Sequence, residues 1–187
     1  MQAHDVLVHA SQRLLTRAEY DRLVKHGFFS SERVELVRGI VIQMAPIGPP
    51  HSDPIDVLTR VFVVGVRDRA VVRIQQPFAA SDDSEPEPDV LLAPPKRYAD
   101  AHPDRAFLIV EVAQSSLEYD RETKAPLYAS SGVPEYWIVD VNARRVEVYD
   151  SPRGGRYERV RSFGAEAEIA PTAFPDVKLT VGELFAT

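Results

Sequence analysis

The chain has 187 residues and a net charge of −6, with 44% hydrophobic residues, 27% charged residues and no cysteine. This length suits one domain with a sizeable core, and the composition is that of a globular protein. The acidic balance argues against a protein that coats nucleic acid with a generally positive surface, and the lack of cysteine excludes disulfides and thiolate metal sites. No apolar run approaches the roughly 20 residues of a membrane span, and the N-terminus lacks the features of a secretory signal, so we expect a cytoplasmic protein.

The chain is predicted to form one domain, residues 14–187, after a loosely held lead-in, residues 1–13. Thr16 and Glu19 form a capping-box pattern, in which each side chain bonds to the backbone of the other residue. This pattern predicts a helix that starts at Thr16 and stops at Gly27, since glycine suits the left-handed C-terminal cap.

A β-hairpin and a second helix are predicted next. The apolar residues of 33–37 and 40–44 flank a two-residue Arg-Gly turn, which is typical of a hairpin. Asp53 and Pro54 suit an N-cap and a first helical position, so the second helix is expected to run from there to about Asp68.

Apolar runs bounded by turn residues predict the remaining strands. In chain order they cover 71–75, 89–93, 107–113, 134–140, 145–149 and 156–162, before a short terminal segment near 181–185. Residues 94–105 form a polar excursion with room for a helical turn.

The predicted architecture is a mixed sheet flanked by helices. The pattern Ser115-Ser-Leu-Glu118 repeats the capping box and predicts a helix to about Ser131. Strands 107–113 and 134–140 flank this helix, so they should form a βαβ unit with a parallel pair. The fold class is therefore α/β, with an N-terminal helix and hairpin.

Glu111 is a carboxylate within an apolar run that should be buried on both faces. An ionised carboxylate there is costly unless a cation or hydrogen bonds compensate it. Asp89 begins the preceding strand, and open α/β sheets bind ligands at strand ends, so the two carboxylates together would suit Mg²⁺ or Mn²⁺. The alternatives are a turn residue for Asp89 and a structural carboxylate paired with arginine for Glu111.

Lys124 lies four residues after Asp120 and four residues before Tyr128, so these three residues share one helical face. One interpretation is an ordinary surface ion pair between Lys124 and Asp120. The other directs the ammonium at a phosphate or at an attacking water beside the metal, where it stabilises developing charge.

Glu35 and His51 each have two or more interpretations. Glu35 lies in the first hairpin strand, where alternation would send it to solvent with its neighbours Arg33 and Val37. His51 could bind a metal, contact a phosphate or be a loop histidine near a helix start. The sequence contains no HExxH, GxSxG, Walker A or GxGxxG motif, so serine-nucleophile, P-loop and dinucleotide-binding functions have no support.

Several short motifs, taken in order, identify a protein family more specifically than any one of them does. The series consists of Glu32–Gly39, Met44-Ala-Pro46, His51, Pro88-Asp89, Glu111–Ser115, Asp120–Lys124, Tyr128-Ala and Gly132–Asp140. It resembles the Uma-type family of putative restriction endonucleases, which belongs to the PD-(D/E)xK nuclease superfamily. The resemblance runs from about Leu14 to Tyr149.

The resemblance implies a restriction-endonuclease-like fold and Mg²⁺-dependent hydrolysis of a DNA phosphodiester, with Mn²⁺ as an alternative metal. Asp89 matches the aspartate of the "PD" element and Glu111 the acidic residue of the "(D/E)xK" element; these two side chains and the carbonyl of Val112 would hold the metal. The position of the superfamily lysine is occupied by Ala113. Lys124, on the following helix, would take its place.

The resemblance also assigns Glu35 as an early glutamate that binds metal or water. Candidate substrate contacts are His51, Ser115, Asp120 and Tyr128. We expect a homodimer that acts on DNA. The alternatives are a non-catalytic module of the same fold that binds a protein or nucleic-acid partner, and a metal-dependent hydrolase of a smaller phosphate ester.

Overall fold

The computed structural model of the chain describes residues 12–185. The predicted lead-in, residues 1–13, lies almost entirely outside the described residues. Within residues 12–185, no helix is both long enough and apolar enough to span a membrane.

The first helix, α1, covers Arg17–Lys25 and has the predicted capping box. The amide of Glu19 donates to the Thr16 hydroxyl at 3.3 Å, and the amide of Thr16 donates to the Glu19 carboxylate at 3.0 Å. Gly27 follows with a φ of +76°, a left-handed conformation that glycine adopts without strain. The predicted start and end of α1 are confirmed to within two residues.

The predicted hairpin consists of strands β1, Val34–Val37, and β2, Ile40–Gln43. They pair antiparallel around Arg38 and Gly39, which have φ values of 51° and 78°. Positive φ at both central residues is typical of a type I′ turn, whose twist matches that of the strands.

Helix α2 covers Pro49–Val66 and starts five residues earlier than predicted. Gly48 is its N-cap, and Asp53, predicted as the N-cap, lies inside the helix. The first turn accepts prolines because its N–H groups have no partner within the helix, so Pro49 and Pro50 begin α2. A short 3₁₀ turn, Arg67–Arg69, follows α2. Because α2 starts earlier than predicted, His51 lies on its first turn rather than in a loop.

A six-stranded mixed sheet forms the centre of the fold. Its strands are β3 Val71–Ile74, β4 Val90–Ala93, β5 Leu108–Ala113, β6 Glu135–Asp140, β7 Arg145–Arg153 and β8 Arg156–Phe163. They lie side by side in sequence order, and β5–β6 is the parallel pair, as predicted. Two short strands that were not predicted, β9 Glu168–Ile169 and β10 Leu179–Thr180, precede a terminal 3₁₀ turn, Val181–Phe185.

The crossover helix between β5 and β6, here called α3, changes its winding along its length. It begins as an α-helix at Leu117–Tyr119, continues as a π-helix at Asp120–Lys124 and ends as an α-helix at Ala125–Ser130. The predicted capping box at Ser115 is wrong. Ser116 is the N-cap, and its hydroxyl donates to the Asp120 carboxylate at 2.6 Å instead of capping the backbone.

The central sheet is covered on both faces, as expected for strands that are apolar throughout. On one face, α2 packs Leu58 and Phe62 against residues of the middle strands such as Val110 and Trp137. On the other face, α3 packs Tyr128 and its neighbours over the alternate residues. Glu111 alternates with Ile109 and Ala113 along β5, so its side chain lies on the same face of the sheet, beneath α3.

Phe62 provides a test of the α2 packing. Its ring is fully buried and its centroid lies 6.1 Å from that of Trp137. We expect Phe62→Ala to lower the free energy of unfolding by about 3–5 kcal/mol, measured by urea denaturation, because it leaves a cavity under the sheet. Val64, on the same helix and 68% exposed, is the matched control. Val64→Ala should change stability by less than about 0.5 kcal/mol, and equal losses in both variants would contradict this packing.

Glu85 provides a test of pH dependence. It lies on the loop beside β1 and is almost fully buried. Burial, with the nearby Asp21 carboxylate, raises the pKa of Glu85 to about 7. The folded state therefore binds this proton more tightly than the unfolded state, so the penalty for an ionised Glu85 grows as the pH rises from about 4.5 to above 7. Glu85→Gln should raise the melting temperature at pH 8 and lose this advantage at pH 4.5, whereas the exposed Glu32→Gln should show no such trend.

Candidate active site

Asp89 and Glu111 lie side by side, as predicted. The antiparallel pairing of β4 with β5 sets Val90 opposite Val110, which brings the start of β4 to the end of β5. The Asp89 amide faces the Glu111 carboxylate at 3.4 Å, and the Val112 amide donates to the Asp89 carboxylate at 2.8 Å. The two carboxylates therefore lie at the same end of the sheet.

Lys124 lies beside this pair. Its Nζ is 2.9 Å from Glu111 Oε1 and 3.2 Å from Glu35 Oε2, and the residue is 4% exposed. The ammonium is thus a buried bridge between two carboxylates and not a surface partner of Asp120. Lys124 ends the π-helical stretch of α3, and single π turns within α-helices occur frequently at functional sites.

Glu35 is buried, and its solvent-facing interpretation is wrong. It is 3% exposed, because the loop before β4 pairs with β1 through Leu36 and Glu85 and covers the side that alternation would leave to water. Its carboxylate accepts hydrogen bonds from the Glu87 amide at 3.1 Å and from the Tyr119 hydroxyl at 3.3 Å.

Two side chains orient Asp89 from outside the strand pair. His51 Nε2 and Gln75 Nε2 lie 3.0 Å and 3.2 Å from the same Asp89 oxygen, Oδ1. The sequence analysis missed Gln75 and Tyr119. Gln75 directly follows β3, and its backbone N–H donates to the backbone carbonyl of Asp89 at 3.1 Å. A predicted pairing of β3 with β4 would have placed Gln75 next to Asp89. No feature of the sequence marked Tyr119 as a site residue.

The candidate substrate contacts occupy different positions around a cavity of about 360 Å³. His51, Ser115 and Asp120 line this cavity. Tyr128 is fully buried outside it, and its hydroxyl donates to Glu111 Oε1 at 2.7 Å, the same oxygen that Lys124 contacts. Tyr128 therefore orients Glu111.

Part of the cavity lining is apolar. It consists of residues from β2 and from the connector to α2, namely Ile42, Met44, Ala45, Pro46 and Ile47, with Gln43 among them. The cavity is thus lined by both charged and aliphatic groups.

Burial shifts the acidity of the carboxyl groups. It raises the pKa of Glu111, and the Lys124 ammonium opposes this shift by favouring the ionised carboxylate. Burial also raises the pKa of Asp120, to about 6. For Asp89, burial acts in the same direction, but the hydrogen bond and charge of His51 and two further donors outweigh it, so the pKa falls below its usual value. The hydrogen bond to Asp89 in turn raises the pKa of His51.

The site has more acidic groups than its one buried ammonium can neutralise. Four carboxyl groups, those of Glu35, Asp89, Glu111 and Asp120, lie buried around Lys124. Such an excess of acidic groups at low exposure favours binding of a cation, because a cation favours their ionised forms.

The donor set fits a small, hard cation. No group of three or more His, Asp or Glu side chains within residues 12–185 is placed to hold a metal ion. Asp89 and Glu111 provide two carboxylates, and Val112 lines the cavity beside them. Mg²⁺ is usually held by one or two carboxylates and keeps several waters, so a third carboxylate or a histidine is not needed for a Mg²⁺ site.

Comparison with known proteins identifies the family and the fold. The Uma2 family model, described as "Putative restriction endonuclease", matches residues 17–182. A crystal structure described as that of a putative nuclease belonging to DUF820 from Anabaena variabilis ATCC 29413 superposes with a TM-score of 0.73 at 18% sequence identity, and the match covers 91% of this chain and 97% of that chain. No curated protein matches the chain. The predicted nuclease fold is confirmed, and the chain belongs to the Uma2 family of putative restriction endonucleases.

Proposed function

We propose that the protein is a Mg²⁺-dependent endonuclease that hydrolyses DNA phosphodiester bonds by water attack. One observation carries the proposal: the Lys124 ammonium lies 2.9 Å from Glu111, which neighbours Asp89. Ala113 occupies the usual position of the superfamily lysine and packs in the core. Lys124, on the helix, supplies the cation instead. Two carboxylates can hold a metal ion for hydrolysis, and an ammonium beside them can stabilise the charge that develops on the phosphate.

Asp89, Glu111 and the carbonyl of Val112 would hold the metal. A bound Mg²⁺ lowers the pKa of a coordinated water and neutralises charge on the phosphate. Asp89 keeps one orientation because His51 and Gln75 bind Oδ1 while the Val112 amide binds Oδ2.

Lys124 acts as a cation rather than as a base. Burial alone would lower its pKa, but the carboxylates of Glu111 and Glu35 raise it well above the usual value. A protonated ammonium can donate to the phosphate or to the attacking water as negative charge develops. In this scheme Glu35, itself bound by the Tyr119 hydroxyl, holds the ammonium in place and can accept from a water.

A homodimer is part of the proposal, because two such sites would reach the two strands of a duplex. The second candidate function is a non-catalytic module of the same fold that binds a partner. The net charge of −6 favours this candidate, since nucleic acid is itself a polyanion.

Metal binding is the first test. Calorimetric titration should show that the protein binds Mn²⁺ and that Asp89→Asn and Glu111→Gln each weaken this binding. Loss of a residue that only orients a metal ligand lowers metal affinity by roughly 10–100-fold, so loss of a ligand itself should lower it further. Glu118→Gln, which neutralises an exposed carboxylate on α3, is the control and should bind like the unmodified protein. Unchanged affinity in both site variants would rule out this metal site.

Catalysis by Lys124 is the second test. In a plasmid-nicking assay with Mg²⁺, Lys124→Gln should lower the rate by about 10²–10³-fold, the usual effect of removing one donor to developing charge. Mn²⁺ binding and the circular dichroism spectrum should persist. Lys25→Gln removes an exposed lysine of α1 and should leave the rate unchanged. An unchanged rate in a folded Lys124→Gln protein would exclude the proposed role.

A further inference from the structure

Arg73 is a buried arginine for which the fold provides no carboxylate. It lies on β3, the edge strand of the central sheet, and is 9% exposed. Among the ion pairs of residues 12–185, none includes Arg73, whereas the more exposed Arg69, Arg121 and Arg159 each contact a carboxylate. Burial of its charge lowers the pKa of Arg73.

Most hydrogen-bond donors of the Arg73 guanidinium have no partner among the described residues. A guanidinium carries five N–H donors. Within the described chain, Arg73 makes one side-chain hydrogen bond, from Nη2 to His102 Nδ1 at 3.5 Å, and its buried Nε has no partner. Arginine can only donate, so His102 Nδ1 is the acceptor and the ring does not compensate the arginine charge.

Lys96 places a second cation near Arg73. The Tyr98 ring centroid lies 5.6 Å from Arg73 Cζ and 5.0 Å from Lys96 Nζ, so two cations share one aromatic ring. Lys96 and His102 are exposed, whereas Arg73 is buried. Lys96 and Tyr98 also line a cavity of about 320 Å³, together with Pro94, Asp104 and Arg105.

The local charge differs in sign from that of the whole protein. Segment 94–105 and Arg73 together carry four cationic side chains and two carboxylates, in a chain of net charge −6. A guanidinium with unpaired N–H donors, near a ring that also binds a lysine, suits a phosphate group, whose oxygens accept several hydrogen bonds at once.

We propose that Arg73, Lys96, Tyr98 and His102 form an anion site that binds a phosphate group. The phosphate comes either from a nucleic-acid backbone or from a free phosphate compound. This site is separate from the carboxylate cluster, and its existence does not depend on nuclease activity. Tyr98 holds the two cations, and the free guanidinium donors bind the phosphate oxygens.

Thermal unfolding in inorganic phosphate tests the site. A ligand that binds the folded state raises the melting temperature with its concentration. At constant ionic strength, replacing chloride by phosphate should raise the melting temperature of the unmodified protein, and Arg73→Gln and Lys96→Gln should each abolish most of this rise. Arg60→Gln, which removes an exposed arginine of α2, should retain it. A rise that persists in both site variants would overturn the proposal.

Binding of a fluorescent DNA oligonucleotide distinguishes the two sources. The assay uses Asp89→Asn protein without metal, so that no cleavage occurs. If the phosphate belongs to DNA, Arg73→Gln in this background weakens binding and lowers the salt slope by about one. If it belongs to a free compound, DNA affinity is unchanged while the thermal effect of phosphate is lost. Should Arg73→Gln fail to fold, Lys96→Gln, on an exposed side chain, decides the question alone.

Discussion

The buried contact between Lys124 and Glu111 is the interaction on which the candidate site depends. Two charges taken out of water are stabilised only if they compensate each other and find further hydrogen bonds. Glu111 Oε1 accepts from Lys124 and from the Tyr128 hydroxyl, while the ammonium also contacts Glu35. Through these two contacts, Lys124 joins the crossover helix to the central sheet and to the N-terminal hairpin. A site built on such an ion pair is orientated before any substrate arrives.

The elements that the sequence predicts well are those whose signals are local. The capping box of α1 and the turn between β1 and β2 depend on residues within a few positions of each other. The burial of β5 on both faces follows from its unbroken apolar run. The parallel β5–β6 pair follows from a helix that lies between two strands, since such crossovers leave few topologies open.

The errors and omissions arise where distant segments decide the outcome. The Asp53-Pro54 pattern is a valid helix start, yet Pro49 and Pro50 extend the helix because its first turn tolerates missing N–H groups. The burial of Glu35 depends on a loop about 50 residues later in the chain, which alternation in β1 cannot reveal. The proximity of Asp89 and Glu111 was predictable from adjacent strands, whereas the role of Gln75 required the register of β3 against β4.

The π-helical stretch of α3 has a consequence for how insertions and deletions affect this protein. A π turn contains an additional residue compared with an α turn, and each residue of an α-helix rotates the next side chain by about 100°. Deleting Arg121, Glu122 or Thr123 from this stretch would restore regular α winding but turn the preceding residues around the helix axis relative to Tyr128. Tyr119 and Asp120 would then leave the cavity wall, although every chemical group of the site would still be present. The spacing of α3 is therefore as much a part of the site as its lysine.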